Sequence, residues 1–131
     1  MTGRVLPAAL AAIAIAAACS KSSTSPSTQT TTCTAGSTST TITISNNAVC
    51  PQNITVPRGT QVTFVNQDSV SHEMYSDPHP EHTDCPELNQ VGHLEPGQSH
   101  QSGNLITARI CGFHDHDRPD VAGLKGKITI Q

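Results

Sequence analysis

Five short runs of this chain alternate an apolar, mostly β-branched residue with a polar one. They are Thr41-Ile-Thr-Ile-Ser45, Asn53-Ile-Thr-Val56, Gln61-Val-Thr-Phe-Val-Asn66, Leu105-Ile-Thr-Ala-Arg-Ile110 and Lys127-Ile-Thr-Ile130. Alternation with a period of two puts one set of side chains on a buried face and the other in water, the pattern of a half-buried strand. Pro57-Arg-Gly59 supplies a turn, with a fixed φ followed by a permissive one. No stretch beyond residue 40 carries a helical period. The chain is therefore expected to be all-β, with two sheets packed as a sandwich. Aromatic residues are only 2% of the chain. Aliphatic side chains must fill the core around Phe64, Tyr75 and Phe113.

The first 40 residues read differently. Arg4 precedes a run over residues 6–18 that is almost all Ala, Ile and Leu, and Cys19-Ser-Lys follows. A charged start, a short apolar run and small residues read as an export signal over 1–18. The run is too short for a transmembrane helix. Ala16-Ala-Ala-Cys19 resembles a bacterial lipoprotein cleavage box, which makes Cys19 the expected lipidation site. Residues 19–40 are then a Ser/Thr-rich tether, too poor in apolar surface to offset its ordering entropy. The domain is 41–131. The expected location is the periplasmic or cell-surface face of a bacterial membrane, reached through a lipid anchor.

Chemistry concentrates near the C-terminus, in Cys111-Gly-Phe-His114-Asp-His116. A thiol and two imidazoles within one short stretch offer the donors that copper and zinc favour. The alternative is a disulfide at Cys111 beside solvated histidines. Ser76-Asp-Pro-His79-Pro-Glu-His82-Thr-Asp-Cys85 has Pro-flanked turns and no periodicity, so it reads as a loop. His79 and His82 offer a second metal site or an outer shell, with solvated loop histidines as the plainer expectation. His93 and His100 read as surface residues. The net charge of −3 with seven Lys+Arg gives no basic stripe, so nucleic acid is not expected as a partner.

Cys111-x-x-His114 followed by Gly123-Leu-Lys-Gly126-Lys-Ile-Thr-Ile resembles the C-terminal copper loop of the cupredoxins, the plastocyanin-like proteins. Residues 54–72, from Ile54-Thr-Val-Pro-Arg-Gly59 to Ser71-His72, resemble the segment that carries that family's first copper histidine. Leu94-Glu-Pro-Gly97 resembles the turn between them. The resemblance implies a cupredoxin-like Greek-key β-sandwich binding one copper ion. It makes His72, Cys111 and His114 the equatorial ligands, with His116 additional. Leu124 stands where the family has an axial Met, and Met74 is the only Met of the mature chain.

Cysteine parity cuts across this reading. With Cys19 lipidated, Cys33, Cys50, Cys85 and Cys111 remain. An exported chain is expected to pair its cysteines. Pairing Cys33 with Cys50 and Cys85 with Cys111 leaves no thiolate, and the site becomes His72, His114 and His116, a type 2 copper or zinc centre. Both alternatives stand on the sequence alone. The expected function is a one-electron carrier with a redox partner protein, acting as a monomer. The alternative is copper binding and delivery through a His-only site. Gly112-Phe-His114-Asp-His116-x-x-Pro-Asp is also similar to the copper signature of Cu/Zn superoxide dismutase. Asp115 stands where that family has an apolar residue, and only residues 117–131 follow. An enzyme is the least favoured expectation.

Overall fold

The computed structural model describes Gly3 and residues 38–131. Apart from Gly3 and residues 38–40, the expected export signal and tether lie outside the described residues, Cys19 and Cys33 included. Among the described residues nine strands form in order: β1 (Thr41–Ser45), β2 (Ala48–Cys50), β3 (Asn53–Val56), β4 (Thr63–Asn66), β5 (His72–Ser76), β6 (Gly92–Leu94), β7 (Ser99–Gln101), β8 (Arg109–Asp115) and β9 (Lys125–Ile130). One sheet has the order β2-β1-β4-β7 and the other β3-β9-β8-β5-β6. The pairs β1–β4 and β3–β9 are parallel, and the rest are antiparallel. The helical content among the described residues is two 3-10 turns, Leu88–Gln90 and Ala122–Leu124. The all-β sandwich expected from the alternation is the architecture observed.

Local chemistry sets the connections. Asn46 and Asn47, both at positive φ, turn β1 into β2. Asn is among the few non-glycine residues that tolerate this region. At Pro57-Arg-Gly59 the Thr60 N–H donates to Pro57 O at 3.3 Å, with Gly59 at φ 86°. The Glu95–Gln98 turn closes the same way, with Gly97 at φ 81°. Asn66 ends β4. Its amide donates to Val70 O (2.8 Å) and Leu94 O (3.0 Å), and its side-chain oxygen accepts from the Asp68 N–H. The turn so fixed delivers His72 to the start of β5.

Four of the expected strands lie where the alternation places them, the third of them starting at Thr63. The fourth run, residues 105–110, does not hold. The strand begins at Arg109 and continues to Asp115, while Leu105 makes an isolated bridge to Thr60 and Ile106 and Ile110 stay exposed. Pairing decides this. Arg109 to His114 is in register with β9, and Phe113 to Asp115 with β5. The stretch expected as a loop after a strand is therefore largely strand.

Ile42, Ile44 and Phe64 of the first sheet pack with Ile54, Val56, Met74, Phe113, Ile128 and Ile130 of the second. Phe64 and Phe113 meet edge-to-face across the layers, centroids 5.2 Å apart at 89°. Such a pair adds about 0.5–1.5 kcal/mol beyond its area. Phe64→Ala is expected to lower unfolding free energy by ~3–5 kcal/mol, read by urea denaturation. A loss under about 1 kcal/mol would show that the two sheets do not depend on this contact.

Candidate metal centre

β8 separates two kinds of side chain. Successive residues of a strand point to opposite faces. Cys111, Phe113 and Asp115 are buried on the inner face, with Cys111 and Phe113 in the core. His114 and His116 take the other face. On β5 the buried His72, Met74 and Ser76 alternate with half-buried Glu73 and Tyr75, and Tyr75 lies opposite His114.

The segment after β5 folds back over this outer face. Asp77 N–H donates to Gly112 O (3.0 Å), His82 N–H to Pro78 O (2.7 Å) and Asp84 N–H to Asp77 O (2.8 Å). Asn89 pins both ends, accepting from Ser76 N–H and donating to His82 O. A disulfide joins Cys85 to Cys111. The result brings His79 and His82 over His114 and His116. One ligand atom from each of the four lies within 4.8 Å of all the others. His82 stacks on His114 with centroids 5.1 Å apart, and His79 lies 4.9 Å from His116. Tyr75 borders the group, 4.7 Å from His82 and 5.6 Å from His116.

Hydrogen bonds orient the rings. His82 Nδ1 lies 2.9 Å from Ser76 O, an acceptor, so Nδ1 carries the proton and Nε2 the lone pair. That Nε2 is 2.9 Å from His116 Nδ1. His114 Nδ1 lies 2.7 Å from Asp77 Oδ1. His114 Nε2 is buried and has no hydrogen-bond partner. An orphaned buried polar group costs about 1–3 kcal/mol, and a metal ion removes that cost. Burial pushes the His114 pKa below the ordinary value; Asp77 opposes this, and His82 and His79 add to it. A neutral imidazole is the form that ligates. The four-imidazole donor set suits copper or zinc.

Two expected ligands are not in this group. The Cys111 sulfur is bonded to Cys85, a closure across 26 residues, so no thiolate is present there. Of the two alternatives left by the sequence, the disulfide is the one formed. Cys50 is disulfide-bonded as well, while its expected partner Cys33 lies outside the described residues. His72 is fully buried on the inner face, and carboxylates engage both its ring nitrogens: Asp115 at 2.8 Å and Asp68 at 3.0 Å. Asp68 is itself held below the usual carboxylate range. Burial raises its pKa, but the backbone N–H groups of Asn47 and Asn46 and the His72 ring outweigh that. Leu124 and Met74 are core residues. His93 and His100 lie outside the cluster, His93 against Glu95 and His100 against Val91 O. His79 and His82, expected as solvated, replace them in the group. Their signal was a symmetry of spacing: His82-x-x-Cys85 mirrors Cys111-x-x-His114.

Comparison with known proteins points to one fold family. A model of the cupredoxin-like domain matches residues 9–102, a span that stops before Cys111. A purple cupredoxin from Nitrosopumilus maritimus superposes with a TM-score of 0.55 at 21% identity, over 70% of this chain and 98% of that one. Oxidised plastocyanin from Dryopteris crassirhizoma gives 0.54 at 22%, over 70% and 99%. A reduced amicyanin mutant gives 0.53 at 16%, over 70% and 80%. A search of curated proteins returned no match.

The disulfide ties the segment bearing His79 and His82 to the strand bearing His114 and His116. Replacing both Cys85 and Cys111 by Ser is expected to cost ~2–5 kcal/mol of stability and to weaken metal binding. Calorimetric unfolding with and without metal measures both effects. Metal affinity equal to wild type in a folded double variant would show that the tie does not shape the cluster.

Proposed function

This chain belongs to the cupredoxin-like domain family, and we propose that it binds its one copper ion through His79, His82, His114 and His116 rather than through a thiolate. The carrying observation is His114 Nε2, buried without a partner among three other imidazoles. Copper held there supplies a one-electron couple. The protein's part is to hold the four rings. Ser76 O fixes His82, the strand pairing of β8 fixes His114, and the disulfide fixes the segment carrying His79 and His82. A frame built this way holds the rings in place before any ion binds, which supports one-electron carriage with a partner protein. The second reading, copper holding and delivery, is favoured by a gradient of exposure. His79 is exposed, His82 and His116 are half-buried and His114 is buried, so an ion can be released stepwise from one side.

Disulfides persist in oxidising compartments, and Cys85–Cys111 supports the export reading. The protein is then tethered to the periplasmic or outer face of a membrane by lipid at Cys19, acting as a monomer. Cys19→Ala is expected to move it from the membrane to the soluble fraction. Unchanged fractionation would remove the anchor.

Copper titration of the purified domain tests the site. One ion is expected per chain, with only weak visible absorption, because no thiolate is available for the blue-copper bond. His82→Ala and His114→Ala should each weaken binding by an order of magnitude or more, while His72→Ala should keep one ion per chain and lose stability. An intense visible band with a free thiol at Cys111 would overturn the imidazole-only site. Reversible voltammetry then favours the carrier. Irreversible voltammetry with ready transfer to a competing chelator favours delivery.

A further inference from the structure

A carboxylate also reaches the cluster from outside the four rings. Asp77 is the first residue after β5, and its backbone is bonded at both ends, N–H to Gly112 O and O to Asp84 N–H. Its Oδ1 lies 2.7 Å from His114 Nδ1. The carboxylate rests against Gly112, which precedes His114 by two residues and so shares its face of β8. A Cβ at position 112 would overlap Asp77 Oδ2 and lie 2.8 Å from Cγ. The side chain is 45% exposed and opens on a cleft it shares with Lys125 and Lys127. Nothing in the core requires this pair. The fold instead leaves a gap in β8 where the carboxylate lies.

We propose that Asp77 is a positioning residue for the metal, holding His114 with its proton on Nδ1 so that the Nε2 lone pair faces the other imidazoles. An ionised carboxylate only accepts, so the nitrogen it faces is the one carrying hydrogen. In a neutral imidazole the other nitrogen is then free to ligate. Without Asp77 the second tautomer becomes available, and that tautomer points an N–H into the cluster. The carboxylate also makes the ring a better donor. A better donor favours the more highly charged, oxidised ion, so loss of the charge raises the reduction potential. This inference rests on the reading of His114 as a ligand.

Three variants of the full chain separate these effects. Asp77→Ala removes acceptor and charge. Asp77→Asn keeps an acceptor oxygen and removes the charge. Gly112→Ala displaces the carboxylate without altering it. In the metal-free protein, long-range proton–nitrogen correlation spectra read the His114 tautomer directly. Wild type and Asp77→Asn are expected to show Nδ1–H, and Asp77→Ala and Gly112→Ala a mixture with Nε2–H. Copper affinity should fall about 10- to 100-fold in Asp77→Ala, and Asp77→Asn should shift the potential upward. Folding is checked by amide spectra. An unchanged tautomer in folded Asp77→Ala overturns the proposal. So does a changed tautomer with wild-type copper affinity and potential. His114→Ala with wild-type affinity would overturn the ligand reading instead, and the metal-free tautomer distinguishes that failure from this one.

Discussion

Everything at the candidate site depends on β8 being paired along both edges. Its register with β9 runs from Arg109 to His114, and with β5 from Phe113 to Asp115. A strand held on both sides cannot rotate or slip by one residue without exchanging its faces. Here the exchange would put His114 into the core and Phe113 on the outer face, among the imidazoles. The burial of Phe113 against Phe64 therefore fixes the direction of His114. The hydrophobic effect thus orients this imidazole toward the other three.

The competing claims on Cys111 are resolved by the same alternation. Cys111 lies on the inner face with Phe113, two residues from it, and is fully buried in the core. His114 lies on the opposite face. A thiolate on one face and an imidazole on the other do not converge on one ion while the stretch remains extended. A thiolate in the core without a metal would also be an unpaired buried charge, which is costly. A disulfide is neutral and apolar, suits that position, and does a second job there. It pulls Cys85 into the core, and His82 comes with it, with Cys85 a few residues further along the chain.

The sandwich was legible because its signal is local. Thr41–Ser45, Asn53–Val56 and Lys127-Ile-Thr-Ile130 alternate β-branched and polar residues strongly enough to be read singly. β5 was not legible. Its sequence His-Glu-Met-Tyr-Ser mixes a charge, a thioether and an aromatic, and its buried face includes His72 and Ser76. Part of the site was legible for a similar reason. His114 and His116 are separated by one residue and so share a face of any strand. His79 and His82 fall in an irregular segment with two prolines, where no period predicts direction. Their approach depends on the Cys85–Cys111 bond and on the Asn89 contacts to Ser76 and His82, none of which a local period predicts. The resemblance to the copper-loop pattern identified the family, while the Cys85–Cys111 bond and the carboxylates around His72 keep two of the residues it implied out of the histidine cluster.

His72 shows what fills the inner face instead. Asp115 is fully buried and accepts from several donors: the His72 ring, Arg118 Nε at 3.2 Å, and the backbone N–H groups of Glu73 and Asp117. A buried carboxylate of this kind is tolerated only where such partners offset its desolvation. Its partners come from β5 and from the turn after β8, so the network ties those two elements together at the strand end. His116 N–H donates to Glu73 O at 2.7 Å in the same place. Asp115 lies between His114 and His116 in sequence and faces away from both. Arg118 and His72 engage its carboxylate, and it bears on the four-histidine cluster through the backbone, by fixing where the strand stops and where His116 stands. The residue that made the dismutase-like signature imperfect is thus the one that anchors the end of β8.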